Sequence, residues 1–269
     1  MGEAKQKSRN RTQVLADDPR CIYCLRPSET WEHMPPKAMF KNPSRLSGME
    51  FGCCEKCNTG TKSSDAIASF IAHISPTNSS ENQWQLPVMK QLLGTANQLE
   101  PGFEEEFFNR RKTEYTYRKN EFGFLMPVVK IDADGPILKR NMTVFSAKMG
   151  MALYREHVGK PMPENSGIFV KWFLNAGLSE AEAHGFLTIL PALGEIKQGK
   201  QRSIKQFGYR YNCDDRSLIM AMIGFHSNLH VLVAATSDLG TFGNVLSKFN
   251  GIKFVKFGEL TKLLETNPN

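Results

Sequence analysis

The sequence predicts an α+β protein, and three observations support that fold class. Alternating or continuous apolar residues over 207–211, 218–225 and 229–235 predict antiparallel strands. Apolar residues recur at helical spacing from Asn141 to Val158, and Gly159 supplies a C-cap. Four cysteines near the N-terminus form two C-x2-C pairs, which are typical of a metal-stabilised region. We therefore expect a small metal-stabilised N-terminal region followed by a larger α+β domain with antiparallel strands.

The first 20 residues are predicted to form a basic flexible arm. Lys5, Lys7, Arg9 and Arg11 carry positive charge, and few apolar residues accompany them. This composition favours a solvated, disordered segment. An arm that contacts nucleic-acid phosphates is the alternative.

Residues 21–75 are predicted to form the metal-stabilised module. Pro35-Pro36 cannot continue a helix or a central strand, so Trp31 to Pro36 is expected to be an extended piece that ends in a rigid turn. A polar loop is expected at 41–48. The cluster Ser63-Ser64-Asp65, followed by apolar residues at helical spacing, predicts a helix that starts about one turn beyond the last cysteine.

A linker is predicted at 76–83, where the chain is polar and rich in turn-forming residues. The remaining residues, 84–269, are predicted to form the α+β domain. Its other expected elements are a helix at Val88–Leu93, a charged amphipathic stretch at Phe103–Arg111, one or two strands over Glu114–Asp132, a buried strand at Ile168–Leu174, and a short helix opened by the capping box Ser179–Glu182.

The net charge of +7 and the pI of about 9.1 favour a polyanionic partner. Residues 1–62 contain 11 basic and 7 acidic residues, so more than half of the basic excess lies in the part of the chain that contains the paired cysteines.

The longest strongly apolar run, Leu218–Phe225, is too short to span a bilayer, and no apolar leader is expected. We expect a soluble, cytoplasmic protein without membrane contact, in which clustered cysteines bind zinc rather than form disulfides.

The four paired cysteines are predicted to hold one structural zinc ion. Four thiolates leave the ion no open coordination position, so such a site organises the fold and does not catalyse. Cys53 competes with Cys54, but Cys54 keeps the two-residue spacing; Cys53 and Cys213 are interpreted as packed thiols. The predicted zinc ligands are Cys21, Cys24, Cys54 and Cys57.

Three residues beside the cysteines could hydrolyse a phosphodiester. That reaction needs a base for water, a divalent cation and cationic contacts to the backbone. His33 can accept a proton near neutral pH. Glu32 and Asn58 offer the oxygen ligands that Mg²⁺ or Mn²⁺ prefers. The predicted nucleic-acid contacts are Lys37, Lys41, Arg45 and Lys62.

These motifs resemble the zinc-stapled branch of the HNH endonucleases. The resemblance rests on Cys21-Ile-Tyr-Cys24, Glu32-His33-Met-Pro-Pro-Lys37 and Cys54-Glu-Lys-Cys57-Asn58, within residues 21–75. It implies a treble-clef zinc finger with a ββα-metal site, in which Glu32 and Asn58 bind the catalytic cation and His33 activates water. It also implies products with a 5′-phosphate and a 3′-hydroxyl, with DNA favoured over RNA as substrate.

One part of the family pattern is missing. The family commonly has a second asparagine shortly before the second cysteine pair, where it braces the histidine loop, but here that stretch reads Ser47-Gly-Met-Glu-Phe-Gly52. Either other groups brace the loop, or the site is slow or inactive. The alternatives to a nuclease are a non-catalytic zinc-stabilised nucleic-acid-binding module and a protein adaptor.

The role of residues 84–269 is left open by the sequence. They could read target sequence, sense a signal, or hold a protein partner or a second copy of the chain. His226 and His230 are four residues apart across a predicted turn, which disfavours a second metal site. Asp65 is interpreted as a helix-start charge, with a contact to the catalytic metal as the alternative.

Overall fold

The structure is a computed structural model that describes residues 9–41, 45–74, 86–109, 113–119, 123–131, 133–174, 185, 188–198, 200–226, 228–248 and 251–265. The first eight residues of the predicted arm, the predicted linker at 76–83 and the predicted helix at Ser179–Glu182 lie outside these residues. The predicted fold class is confirmed at the level of a mixed helical and antiparallel-sheet protein with a cysteine cluster near its N-terminus.

The N-terminal region is built on a two-stranded antiparallel hairpin followed by two short helices. Glu32 lies opposite Phe51 in the hairpin, and His33 lies opposite Glu50. The second of the two helices begins at Lys62, where the sequence predicts a helix, and the first, which begins directly after Cys54, is not predicted. The elements are α1 (Arg11–Asp17), β1 (Thr30–His33), a 3-10 turn (Lys37–Met39), β2 (Glu50–Cys53), α2 (Glu55–Gly60) and α3 (Lys62–His73).

The described part of the predicted arm is folded, which differs from our expectation. Asn10 and Gln13 cap α1 reciprocally, and Val14 on that helix is fully buried. Arg9 donates to the Glu50 carbonyl at 2.6 Å, and Arg11 donates to the Glu29 carbonyl at 2.6 Å. These two guanidinium groups therefore bind the hairpin backbone, a set of partners that composition cannot reveal.

The region after residue 85 combines helices with a six-stranded antiparallel sheet. The strand order across the sheet is β12 (Lys253–Lys256), β5 (Gly167–Leu174), β11 (Leu229–Thr236), β10 (Leu218–Phe225), β9 (Phe207–Cys213) and β6 (Ala192–Gly194). The strands that the sequence predicts at 168–174, 207–211, 218–225 and 229–235 are confirmed. The elements are α4 (Leu86–Leu99), α5 (Phe103–Phe107), β3 (Thr113–Lys119), β4 (Leu125–Ile131), α6 (Pro136–Val158), β5 (Gly167–Leu174), β6 (Ala192–Gly194), β7 (Lys197–Gln198), β8 (Gln201–Arg202), β9 (Phe207–Cys213), β10 (Leu218–Phe225), β11 (Leu229–Thr236), α7 (Leu239–Leu246), β12 (Lys253–Lys256) and α8 (Leu260–Glu265).

Helix α6 lies between this sheet and the N-terminal region. The helix begins at Pro136, earlier than the start at Asn141 that the sequence predicts, and Gly159 ends it in the left-handed conformation, as the sequence predicts. One face packs on β5, β10 and β11, so closely at Gly150 that a Cβ there would lie 2.8 Å from Ile168. The helix also packs against α3, and this second contact brings side chains of α6 to the predicted site.

One continuous apolar core joins the two regions. Ile22, Phe51 and Ile67 from the N-terminal region belong to the same buried cluster as Phe145 and Ile219 from the α6–sheet layer. Burying apolar surface stabilises a fold by roughly 25 cal/mol per Å². The shared core therefore contributes to holding the hairpin against α6. Within the part of the chain described, no helix is long and apolar enough to cross a membrane.

Candidate metal centre and adjoining polar site

Two local turns bring the four predicted zinc ligands together. Cys21 and Cys24 lie on a turn in which the Leu25 amide donates to the Cys21 carbonyl, and Leu25 adopts a positive φ of 60°. Cys54 is the N-cap of α2, and Cys57 lies in the first turn of that helix. The four Sγ atoms lie within 4.8 Å of one another. The four cysteines could therefore hold a metal ion such as zinc.

The donor set fits a tetrahedral thiolate site. A Zn–S bond of about 2.3 Å gives sulfur separations of roughly 3.8 Å in a tetrahedron. Cys24 and Cys54 have a sulfur separation of 3.5 Å, and Arg26 donates to the Cys24 sulfur at 3.3 Å. Burial, assisted by the charge of Cys21 and the contact with Cys24 and opposed by contacts with Cys57, raises the pKa of Cys54. A divalent cation counteracts these effects and holds the thiols ionised.

The remaining two cysteines stay outside this cluster. Cys53 is fully buried, with its sulfur 3.9 Å from that of Cys21, and it donates to the Cys54 carbonyl. Cys213 accepts a hydrogen bond from the Asp215 amide far along the sheet. Neither contributes to the group of four that could hold the ion.

Glu32 enters a buried ion cluster on the α6 side of β1. Its Oε1 atom lies 2.6 Å from the Lys148 ammonium, which also lies 2.7 Å from Asp65 Oδ2. Lys148 is 0% exposed. Burial disfavours its charge, but the two carboxylates prevail and raise its pKa. Lys148 is therefore a permanent cation beside the predicted metal ligand.

The same cluster contains three buried polar atoms without a hydrogen-bond partner in the described part of the chain. These atoms are Glu32 Oε2, Asp65 Oδ1 and the Tyr23 hydroxyl oxygen. Burial, assisted by the charge of Glu32 and opposed by Lys148, raises the pKa of Asp65 to about 7. The Lys148 ammonium group thus faces two carboxylates, and in each of them one oxygen lacks a hydrogen-bond partner among the described residues.

Asn58 reaches β1 beside this cluster. It lies in α2, where its backbone amide donates to the Cys54 carbonyl at 3.0 Å, and its side-chain nitrogen donates to Thr30 Oγ1 at 3.0 Å. Thr30 and Glu32 are two residues apart in β1, so their side chains share a face. The structure therefore brings Asn58 to the Glu32 face of the strand, although no hydrogen bond joins the two among the residues described.

His33 points to the opposite face of β1, because successive side chains of a strand alternate. Its ring packs against that of Trp31, with centroids 4.7 Å apart. Its Nδ1 atom lies 3.7 Å from Glu50 Oε1, and its side chain is 18% exposed. The predicted base and the predicted cation ligands are thus neighbours in sequence on two sides of one strand.

The four basic residues predicted to bind nucleic acid have different surroundings. Lys37, Lys41 and Lys62 are exposed. Arg45 differs from its prediction: its side chain is 2% exposed, and its guanidinium group donates to backbone carbonyls and to Glu50. A buried group with these partners does not meet phosphates, so the structure corrects the prediction for Arg45.

Sequence reasoning missed Lys148 and Glu50. Lys148 lies in an apolar stretch of α6, where a lone lysine is a signal for a buried ion pair. Glu50 sits opposite His33, but its pairing follows from the hairpin register, which the sequence leaves open. Comparison of the chain with family models, curated proteins and solved structures gives no match. A functional assignment therefore rests on the sequence motifs and on the geometry of the site.

Proposed function

We propose that the chain is a metal-dependent endonuclease of the HNH type that hydrolyses phosphodiester bonds in nucleic acid, with DNA favoured. In this proposal the hairpin, the cysteine cluster and α2 form a zinc-stapled treble clef. Zinc on the four sulfurs is structural. His33 is the general base, and Glu32 and Asn58 bind a separate Mg²⁺ or Mn²⁺ ion.

The observation that carries the proposal is the contact between Asn58 and β1. The residue that follows the last cysteine is tied by its amide nitrogen to Thr30, so its side-chain oxygen remains as the donor atom. Lys148 holds one oxygen of Glu32, and the other has no partner in the described chain. The side chains of Glu32 and Asn58 thus offer two hard oxygen donors on the same side of β1, and His33 directly follows Glu32 in that strand.

Each of these residues has a defined task in the proposed reaction. A divalent cation at Glu32 and Asn58 would stabilise the negative charge that develops on the leaving 3′-oxygen. His33 would accept a proton from the attacking water. The phosphodiester would lie at the end of β1, where the strand stops at His33. Exposed Lys37 and Lys62 would contact neighbouring phosphates.

Cleavage of supercoiled plasmid by the zinc-loaded protein tests the proposal. With Mg²⁺ or Mn²⁺ the wild-type protein should nick the plasmid, and His33→Ala should lower the rate by about 10²–10⁴. Both proteins should keep one zinc ion per chain. His230→Ala, whose ring stacks on Phe173 in the sheet, is the matched control and should cleave normally.

Two results would count against the assignment. Absence of metal-dependent cleavage by the wild-type protein would remove the nuclease function. Full activity in His33→Ala would leave a nuclease but exclude His33 as its base.

A second candidate is a non-catalytic, zinc-stabilised nucleic-acid-binding module. The ion pair between Lys148 and Glu32 favours it, because an ammonium group already occupies one oxygen of the predicted metal ligand. Such a protein would bind DNA with an affinity that falls steeply as salt rises, and it would leave the DNA intact.

A further inference from the structure

Arg45 closes the loop between the two strands of the hairpin. Its guanidinium group donates to the Met34 and Pro35 carbonyls, which directly follow His33, and to the Leu46 and Gly48 carbonyls on the returning chain. The distances are 2.7–3.0 Å. One buried cation thus ties the segment after the histidine to the segment before β2.

Glu50 is the anionic partner of that cation and also faces the histidine. Its carboxylate accepts from the Gly48 amide at 2.9 and 3.0 Å and lies 3.2 Å from Arg45. Burial opposes its ionisation, but contacts from His33, the Gly48 amide and Arg45 outweigh burial and lower its pKa. Glu50 is therefore an ionised group that can only accept hydrogen bonds.

The geometry fixes which ring nitrogen of His33 faces this carboxylate. Nδ1 is buried, lies 3.7 Å from Glu50 Oε1 and has no hydrogen-bond partner among the described residues. A bare nitrogen lone pair there would face a carboxylate oxygen, which is repulsive, whereas an Nδ1–H group would be attracted. The Trp31 ring packs against the imidazole and limits its rotation.

We propose that Glu50 and Arg45 are positioning residues for His33: Glu50 holds the proton on Nδ1 and leaves Nε2 as the basic atom, while Arg45 fixes the segment that follows His33 against the segment that precedes Glu50. Arg45 thereby takes over the bracing that an asparagine supplies in the family which the motifs resemble. The catalytic meaning of this arrangement rests on the proposed nuclease function; the protonation pattern of the ring does not.

In the proposed hydrolysis the arrangement directs one proton. Nε2 takes a proton from water, the water oxygen forms the bond to phosphorus, and the bond from phosphorus to the 3′-oxygen breaks. The 3′-oxygen takes a proton from solvent, and Nε2 later returns its own. Glu50 stabilises the imidazolium ion that exists between these steps.

Nitrogen NMR of the zinc-loaded full chain, labelled with ¹⁵N-histidine, tests the proposal. The spectrum is recorded at pH 8.5, and the His33 signals are assigned by their loss in His33→Gln. The wild-type ring should carry its proton on Nδ1, the reverse of the preference of free imidazole side chains in water. A wild-type spectrum with the proton on Nε2 overturns the proposal, whatever the variants do.

The variant Glu50→Met removes the carboxylate while keeping a side chain of similar length. It should shift His33 towards the form protonated on Nε2, and Glu164→Gln, which neutralises an exposed carboxylate, should not. An unchanged His33 spectrum in zinc-retaining Glu50→Met contradicts the proposal. Should Glu50→Met lose zinc, the wild-type spectrum decides alone.

Plasmid cleavage provides the separate functional readout. Glu50→Gln should lower kcat by about tenfold or more while leaving KM unchanged, because the base is misdirected and substrate contacts persist. An unchanged kcat would remove Glu50 from the mechanism. If the wild-type protein does not cleave DNA, the proposed function fails, and the NMR result still stands or falls by itself.

Discussion

Lys148 shows how strongly a single residue depends on its surroundings. An ammonium group buried without counter-ions would cost several kcal/mol and would lose its proton. Two carboxylates from different elements, Glu32 on β1 and Asp65 on α3, keep it charged. The stabilisation is mutual, because Glu32 would otherwise be a buried, unpaired anion and Asp65 a partly buried one.

Replacing Lys148 with methionine should therefore destabilise the protein strongly. The change keeps roughly the volume of the side chain but leaves buried Glu32 and partly buried Asp65 without their cation, and we expect a loss of about 3–5 kcal/mol in the free energy of unfolding. Urea unfolding followed by circular dichroism measures it. The triple variant Lys148→Met, Glu32→Gln, Asp65→Asn should recover much of the loss; failure to recover would mean that packing, and not charge, sets the cost.

His226 supplies a pH dependence at the contact between the N-terminal region and the sheet. Burial, assisted by His73 and Lys41 and opposed by a hydrogen bond to the Met39 carbonyl, lowers the pKa of His226 to about 4. Below its ordinary pKa of 6.5 the unfolded chain binds a proton at this position while the folded chain does not. Stability should therefore fall as the pH drops from 6.5 towards 4.

Urea midpoints measured between pH 7 and pH 5 with excess zinc check this expectation. The midpoint should fall with pH in the wild-type protein and fall less in His226→Gln, whose amide can still donate to Met39. The difference between the two proteins excludes the thiolates, which both retain. Identical pH slopes would show that His226 does not contribute.

At the scale of elements, α6 is joined to the N-terminal region by a polar stripe with a spacing of seven residues. Asn141 accepts from Ser63 and Ser64, Lys148 binds the carboxylate pair, and Arg155 donates to buried Asp18 at 2.5 Å. Residues seven apart lie on the same side of a helix, two turns from one another. The opposite side of α6 packs on the sheet, so the helix connects the two layers.

The hairpin contains a glycine whose missing side chain makes room for another segment. A Cβ on Gly52 would lie 2.2 Å from the Asp18 carbonyl oxygen, so Gly52→Ala should displace the chain around Asp18 and destabilise the protein by about 1–3 kcal/mol. Gly94 in α4 is the matched control, because a Cβ there would meet nothing within 4 Å. Gly94→Ala should stabilise by about 1 kcal/mol. Thermal unfolding of both variants measures the contrast, and equal effects would contradict it.

How well an element could be predicted depended on where its stability comes from. Strands β9 to β11 and helix α6 carry their own apolar periodicity, so the sequence predicts them directly. Helix α2 contains Asn58, Thr59 and Gly60, which are weak helix formers, and it forms where the paired cysteines hold the chain. Helix α1 depends on reciprocal caps and on contacts from Arg9 and Arg11 to the carbonyls of Glu50 and Glu29, which are distant in sequence.

The candidate site was predictable in its residue types and not in its contacts. Cysteine spacing identified all four members of the metal-binding group, because the pattern itself is local. The buried role of Arg45 and the bond from Lys148 to Glu32 depend on tertiary packing. A sequence shows that a basic residue lies close to the site along the chain, but not whether its side chain binds a phosphate, a carbonyl or a carboxylate.

At the scale of the whole molecule, the proposal assigns two metals to one small region. Sulfur donors on one side of the hairpin would take zinc, and oxygen donors from Glu32 and Asn58 would take a harder cation. The shared core and the polar stripe of α6 connect this region to the sheet. Lys148 thereby makes the larger region part of the proposed site.

The central claim is tested most directly by locating both metals. Anomalous scattering at the zinc and manganese edges, from crystals of the full chain grown with both ions, gives their positions separately. We predict zinc among the sulfurs of Cys21, Cys24, Cys54 and Cys57, and manganese at coordination distance from Glu32 and Asn58. Zinc alone, with Lys148 still bound to Glu32 at saturating manganese, would contradict the proposed catalytic metal site.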